Sequence, residues 1–244
     1  MQNTYYLNVS VANSLAMLKK NLENRFPSQK ITPFILQAWG PLTNGKDPSV
    51  EMTRQFNSLR DTTGAQDVIS CIDDNDAVAI AAWRFLSCKV TSSDFASAVF
   101  YDYAKTDVYN AAPSGEKTEL QNMRGMHNFG KLSLDVSGDT IINEIPTLWF
   151  ERTPPAVNTA GSNDATPDNG NWEHYKTIYE PLLFAGNVRN TWNIKLGGDN
   201  NTIAGDSTAT EQNYVVMAGI GFKIQDGEPE AKAMIKAQGH CIKL

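Results

Sequence analysis

The second half of the chain consists of short β-type runs separated by loops of Gly, Asn, Asp and Thr. Residues 130–138 (GKLSLDVSG) alternate apolar Leu132, Leu134 and Val136 with polar neighbours. A period of two marks a strand with one face buried and the other in water. Further apolar runs follow at 141–150 (IINEIPTLWF), 181–186 (PLLFAG), 191–196 (TWNIKL) and 214–224 (YVVMAGIGFKI). The loops between them hold turn formers and almost no apolar residues. Strands of this kind become stable only when sheets cover one another's apolar faces, so the expected fold class is mainly β.

The first half mixes element types. Val11, Leu15, Leu18 and Leu22 recur at steps of four, three and four, which places them on one helix face. Ser10 or Asn13 can cap the start of this helix, and Pro27 stops it. The protein's own core is the expected partner of that face, and a neighbouring subunit or a membrane surface is the functional alternative. A β-type run at 31–40 ends at Gly40-Pro41, and the turn signals Asn44-Gly45 and Asp47-Pro48 follow. Residues 50–60 suit strand or helix. Residues 66–72 and 77–90 read as strands around the acidic turn Asp73-Asp74-Asn75-Asp76. The Ala-rich run AVAIAAWRFL also suits a helix, because Ala is the best helix former.

A further β-type run at 97–103 precedes a polar connection at 104–125 that contains Pro113, Ser114 and Gly115. A second long loop, 153–171, reads as a surface excursion between two strands. The chain closes with a helix from Pro229 to Gly239. These divisions predict an N-terminal helical segment at 1–28, β-rich domains at 29–125 and 126–227, and a C-terminal helix at 228–244.

Composition excludes several function classes. Hydrophobic residues make up 41% of the 244 positions, enough for a packed core. The net charge of −6 argues against a protein that coats nucleic acid, which needs a basic face or arm. No apolar run reaches the 18 or so residues of a membrane-spanning helix, and the stretch 77–86 is interrupted by Arg84. The first ten residues contain no Lys or Arg, so neither a basic arm nor a secretory signal is expected there. Cys71, Cys88 and Cys241 have no metal-ligand spacing and suggest synthesis in a reducing compartment.

No catalytic constellation stands out, and no catalytic residue, cofactor or metal site is expected. His127, His174 and His240 lie outside any metal motif and read as surface or loop histidines. Gly219 and Gly221 sit inside a β-type run, where glycine marks a bulge or a close packing contact. Asp73, Asp74 and Asp76 form a carboxylate cluster of the kind calcium prefers, but the turn lacks the glycine and distal Glu of an EF-hand loop. An ordinary solvated turn is the simpler reading. The loop residues Asp164, Asp168 and Asn169, and Asp199, Asn200 and Asn201, carry the same question. Glu144, Glu151, Glu173 and Glu180, with Trp149, Trp172 and Trp192, allow a carbohydrate-binding or carbohydrate-cleaving sandwich. Core or interface anchors are the simpler reading of those tryptophans.

The order of elements resembles the major capsid proteins of small icosahedral, membrane-containing bacteriophages of the double jelly-roll lineage. The residues that carry the resemblance are EPLLFAGNVRNTWNIKLGGDN at 180–200, like the strand–turn–strand of a second barrel, and NYVVMAGIGFKIQDG at 213–227, like its closing strand. The resemblance implies two jelly-roll barrels, a trimer whose six barrels make a pseudo-hexagonal tile, and no enzymatic activity. It also implies assembly in the host cytoplasm into a virion, with other virion proteins and an internal lipid membrane as neighbours and no direct contact with nucleic acid. A penton or tube subunit is the structural alternative, and a sugar-binding sandwich the alternative from another class.

Overall fold

The computed structural model describes residues 11–43, 46–91, 93–101, 125–150, 175–177, 181–196 and 211–237. The expected loop at 153–171, and all but the last residue of the connection at 104–125, lie outside the described residues. Nine strands are described: β1 (Ile31–Pro41), β2 (Ser49–Glu51), β3 (Ala77–Thr91), β4 (Val99–Tyr101), β5 (Lys131–Val136), β6 (Asp139–Pro146), β7 (Leu182–Ala185), β8 (Asn190–Lys195) and β9 (Glu211–Ile224). They are accompanied by α1 (Val11–Arg25), α2 (Glu228–Ala237) and a short helix at 125–129 just before β5. The protein is mainly β, in two antiparallel sheets with a few helices.

The pairing is nested. β1 pairs with β9, β2 with β8, β3 with β7, and β5 with its neighbour β6. β9 also pairs with β3, and β8 with β5, which gathers the strands into two sheets. One sheet runs β1-β9-β3, with β4 and β7 sharing the far edge of β3, and the other runs β2-β8-β5-β6. Lys176 fills the gap on that far edge through a two-way backbone bridge to Trp83, with N···O distances of 2.8 and 2.7 Å.

This pairing cuts across the expected division at 125/126. β1 and β3 come from the first half and are joined through β9 from the second. One apolar cluster takes Val78, Ile80 and Phe85 from the first sheet and Leu132, Leu134 and Ile194 from the second. Across it Trp83 of β3 meets Trp192 of β8 edge to face, with ring centroids 5.3 Å apart. The expectation of two β-rich barrels is therefore corrected. The described strands build one sandwich with one shared interior.

The two sheets differ in how they are covered. In the second sheet, alternate residues face water, as the period-two pattern of β5 requires. Its outer face is a net of polar side chains. Asn193 and Thr140 donate to Asp135 at 2.6 and 2.7 Å, and Thr191 Oγ1 donates to Glu51 at 2.8 Å. In the first sheet β3 is buried on both faces over most of its length. Its outer face packs Ala77, Ala79 and Ala81 under Leu18 and Leu22 of α1 and Ala231 and Ile235 of α2. Further along, Leu86, Cys88 and Val90 pack under Trp39, Phe95 and Ile69. Burial on both faces explains why AVAIAAWRFL is apolar without alternation, and it settles the helix-or-strand ambiguity in favour of strand.

Local corrections follow from the same packing. Residues 66–72 do not form a strand. Ala65–Asp67 is a 3-10 turn, and Ser70 and Ile72 make isolated bridges to Gln37 and Thr53. The 50–60 region is neither a strand nor an α-helix: after β2 it folds into 3-10 turns at Arg54–Phe56 and Ser58–Asp61. β5 and β6 are joined by Ser137-Gly138, both at positive φ (56° and 93°), the type I′ geometry that matches strand twist. β1 is the open edge of its sheet. Gln37 turns its backbone groups outward to Ser70, so by alternation Pro33 also faces outward. A proline there loses no ladder bond and blunts the edge against stray pairing.

β3 carries a bulge between Ile80 and Ala82 where it pairs with β9. A Cβ added to Gly221 of β9 would lie 1.8 Å from the carbonyl oxygen of Ala79. The glycine thus marks a close approach of two backbones. Gly221→Ala is expected to destabilise the protein by about 2–3 kcal/mol, the range for overpacking a core. Gly125→Ala adds a Cβ with nothing within 4 Å and is expected to change stability by less than about 1 kcal/mol. Urea denaturation midpoints of the two variants check this contrast.

Candidate functional site

Two of the three carboxylates of the acidic turn, Asp73 and Asp76, are ion-paired within the protein. Asp73 lies 3.3 Å from Arg54 and 3.3 Å from Lys223, and Lys223 reaches Asp76 at 2.9 Å. The other oxygen of Asp76 accepts the backbone N–H of Asp226 at 3.0 Å. The partly buried Lys223 has its pKa raised by its hydrogen bond to Asp76 and the charges of both aspartates. The turn thus pins the start of β3 to the end of β9. It is not a hairpin tip between two strands, because 66–72 is not a strand. Among the described residues no three His, Cys, Asp or Glu side chains gather in a metal-holding group. Asp164, Asp168, Asn169, Asp199, Asn200 and Asn201 lie outside the described residues.

Of the four glutamates that could supply the carboxylate pair of the sugar reading, Glu144 alone is described. It is exposed on the edge strand β6, where Lys131, 2.7 Å away, holds its carboxyl below the usual range. Glu151, Glu173, Glu180 and Trp172 lie outside the described residues. Trp192 and Trp83 are buried together in the sandwich interior, and Trp39 is buried in a separate cluster on the outer face of the first sheet. Trp149 is half exposed. It stands with Leu148 directly after Thr147, whose hydroxyl lies 2.7–3.0 Å from the carbonyls of Met126, His127 and Gly130. That knot brings the segment at 125–129, with its strongly exposed Phe129, beside Leu148 and Trp149. Three large apolar side chains are therefore presented to water at one end of the sandwich.

His127 is not a surface histidine. It is buried in the sandwich, with Nε2 2.8 Å from Ser87 Oγ and its ring 4.8 Å from that of Phe85. Burial pushes its pKa from 6.5 down to about 3. No periodic signal marks this residue, because the helix at 125–129 that carries it, with core Met126 beside it, is little more than one turn long. Cys71 and Cys88 are buried thiols. Burial pushes Cys71 up to about 12 and Cys88 upward as well, so neither is a ready thiolate. His174, His240 and Cys241 lie outside the described residues.

A concavity lies on the outer face of the first sheet, between its two coverings. Leu18 and Leu22 of α1 sit on the sheet, but the first two turns of α1 overhang it, and Leu15 is only partly buried. Beneath this overhang runs a groove of about 770 Å³. Ala218, Ile220 and Phe222 of β9 form its floor, and Pro33 and Ile35 of the edge strand form one rim. Leu86 and Phe100 close the far side, and Ala12, Leu15, Ala16 and Lys19 line it from the helix. These four helix positions are spaced i, i+3, i+4 and i+7, one stripe beside the stripe that packs on the sheet. Ile35 is 62% exposed, so the rim is wet and open. Nothing in the one-dimensional pattern marks this groove, because it arises from a helix and four strands drawn from both halves of the chain.

No known family model matches this chain, and no curated protein matches it significantly.

The burial of His127 sets a pH dependence with a definite sign. The folded pKa lies below the unfolded one, so the unfolded chain takes up a proton that the folded protein refuses. Stability from this residue is complete above about pH 6.5 and is lost as pH falls towards 3. At pH 5 the loss is expected to be about 2 kcal/mol from the shift alone. His127→Gln, which keeps a polar partner for Ser87, is expected to remove this part of the slope. Denaturation of both proteins at pH 7.5 and pH 5 checks it.

Proposed function

We propose that the protein is a structural subunit of an icosahedral virion shell, built on one jelly roll and acting by self-assembly rather than catalysis. The observation that carries this reading is the nested strand order. With β4 set aside as an addition to the edge, eight strands remain. They pair first with last, second with second-last, third with third-last, and the middle two as a hairpin. Rolling such a ribbon so that β9 meets β3 and β8 meets β5 generates the two-sheet arrangement of a jelly roll, an architecture used by viral capsid and lectin domains and by cupins.

The surface supports assembly over sugar binding. Three of the four described tryptophans are core residues, so no tryptophan-lined sugar groove forms around them. The exposed trio of Phe129, Leu148 and Trp149 is the kind of apolar patch that marks contact with another protein surface. The net charge of −6 suits a subunit that does not touch packaged nucleic acid directly. One barrel per chain changes the stoichiometry implied by the double jelly-roll resemblance. A pseudo-hexagonal tile of six barrels then needs six copies of this chain, where three two-barrel chains would have sufficed.

Native mass and electron microscopy of the purified protein test the reading together. Closed oligomers, with hexagonal tiles or shells as concentration rises, are the expected result. Trp149→Glu is expected to raise the concentration needed for assembly about tenfold or more, as removal of a central anchor does at interfaces. A protein that stays monomeric at high concentration and makes no lattice in any condition would contradict the proposal.

A further inference from the structure

We propose that the groove between α1 and the first sheet is a binding site for a single-chain amphiphile with an anionic head, a fatty acid being the simplest member. The inference is independent of shell assembly. It begins with what the walls offer. The floor is the face of a sheet whose central strand, β9, is hydrogen-bonded along both edges by β1 and β3. Its backbone donors and acceptors are already used. Among the described lining residues the polar side chains are Lys19, Gln37 and Tyr175.

That lining discriminates between occupants. An extended peptide laid here would bury amide groups against Ile220, Phe222 and Leu86 with almost nothing to bond them, a cost that hydrocarbon does not incur. A volume of about 770 Å³ falls in the range of small-ligand sites, which are mostly apolar with a few polar groups that fix orientation. Among the described lining residues the single formal charge is Lys19, at one end of the helix stripe that starts at Ala12. Along the helix these two positions are about 10 Å apart at 1.5 Å per residue. An acyl chain lying beneath Ala12, Leu15 and Ala16 therefore brings its carboxylate to the ammonium of Lys19. Lys19 also contacts Glu23 at 3.5 Å, but both side chains are more than half exposed, so that pair is weak and readily exchanged for a ligand carboxylate.

The floor is shaped for a chain. Ala218 is small where its neighbours Ile220 and Phe222 are large, which leaves a slot between the wall of Leu86 and Phe100 and the overhanging helix. α1 rests on the sheet through Leu18 and Leu22, and the partly buried Leu15 packs against the same cluster while also lining the groove.

Calorimetric titration of the full chain with monomeric laurate tests the site, with dodecyltrimethylammonium as a probe of equal tail length and opposite charge. One laurate per chain is expected to bind, and the cationic probe about tenfold more weakly. Ala16→Trp, which fills the groove from an exposed helix position, is expected to abolish binding. Lys19→Glu is expected to weaken laurate about tenfold and to narrow or reverse the preference over the cation. Both positions are solvent-exposed, so both variants are expected to melt close to the parent protein. Absence of laurate binding, binding unchanged in both variants, or equal binding of the two probes would overturn the proposal. Binding to anionic vesicles without binding of monomeric laurate would overturn it too, and would point to a membrane surface. The oligomeric state, measured separately, bears on the shell reading alone.

Discussion

The insertion of β9 between β1 and β3 is the contact on which the rest of the molecule depends. These are the longest strands described: all fourteen residues of β9 pair with β3, and Tyr214 to Ile224 pair with β1 as well. The ladder draws the first, third and last strands together and aligns β7 on the far edge of β3. With that sheet in place, Trp83 and Phe184 present an aromatic surface to Trp192, and the second sheet closes over it. Such pairing is non-local, so its loop-closure entropy must be met before its contacts form. The bulge at Ile80/Ala82 and the absence of a side chain at Gly221 let two long strands stay in register through a local irregularity.

Covering only one sheet on its outer side gives the protein its asymmetry. The outer face of the second sheet is finished by Asp135, Asn193, Thr191 and Glu51, whose hydrogen bonds are compatible with water. The outer face of the first sheet is largely apolar and needs covering. The two helices cover one end, and the 3-10 turns around Ile69 and Phe95 cover the other. Neither reaches the middle. The groove is the physical remainder of that division, which is why its floor is sheet and its roof is half a helix.

Much of the element list was legible in the sequence, and the topology was not. The alternation of Leu132, Leu134 and Val136 located β5, the steps of Val11, Leu15, Leu18 and Leu22 located α1, and Pro229 marked the start of α2 within a residue. β3 was ambiguous because burial on both faces erases alternation. Residues 66–72 misled because Val68, Ile69 and Ile72 are apolar for packing while their backbone bonds singly to Gln37 and Thr53. The two-domain division failed for a deeper reason: a strand carries no mark of its partner, and β1 finds its own near the other end of the chain. His127 looked like a loop residue because the short helix that carries it into the interior has no long periodic signal. The groove was invisible for the same reason as the topology, since Ala16, Ile35 and Ala218 become neighbours only after β9 has paired.

Differential scanning calorimetry of the intact chain tests the shared interior most directly. If strands from both halves are woven into one core, the β body unfolds in a single transition, with calorimetric and van't Hoff enthalpies that agree per cooperative unit. Two separable transitions, each assignable to one half of the chain by its protease protection, would contradict it and restore a two-barrel molecule.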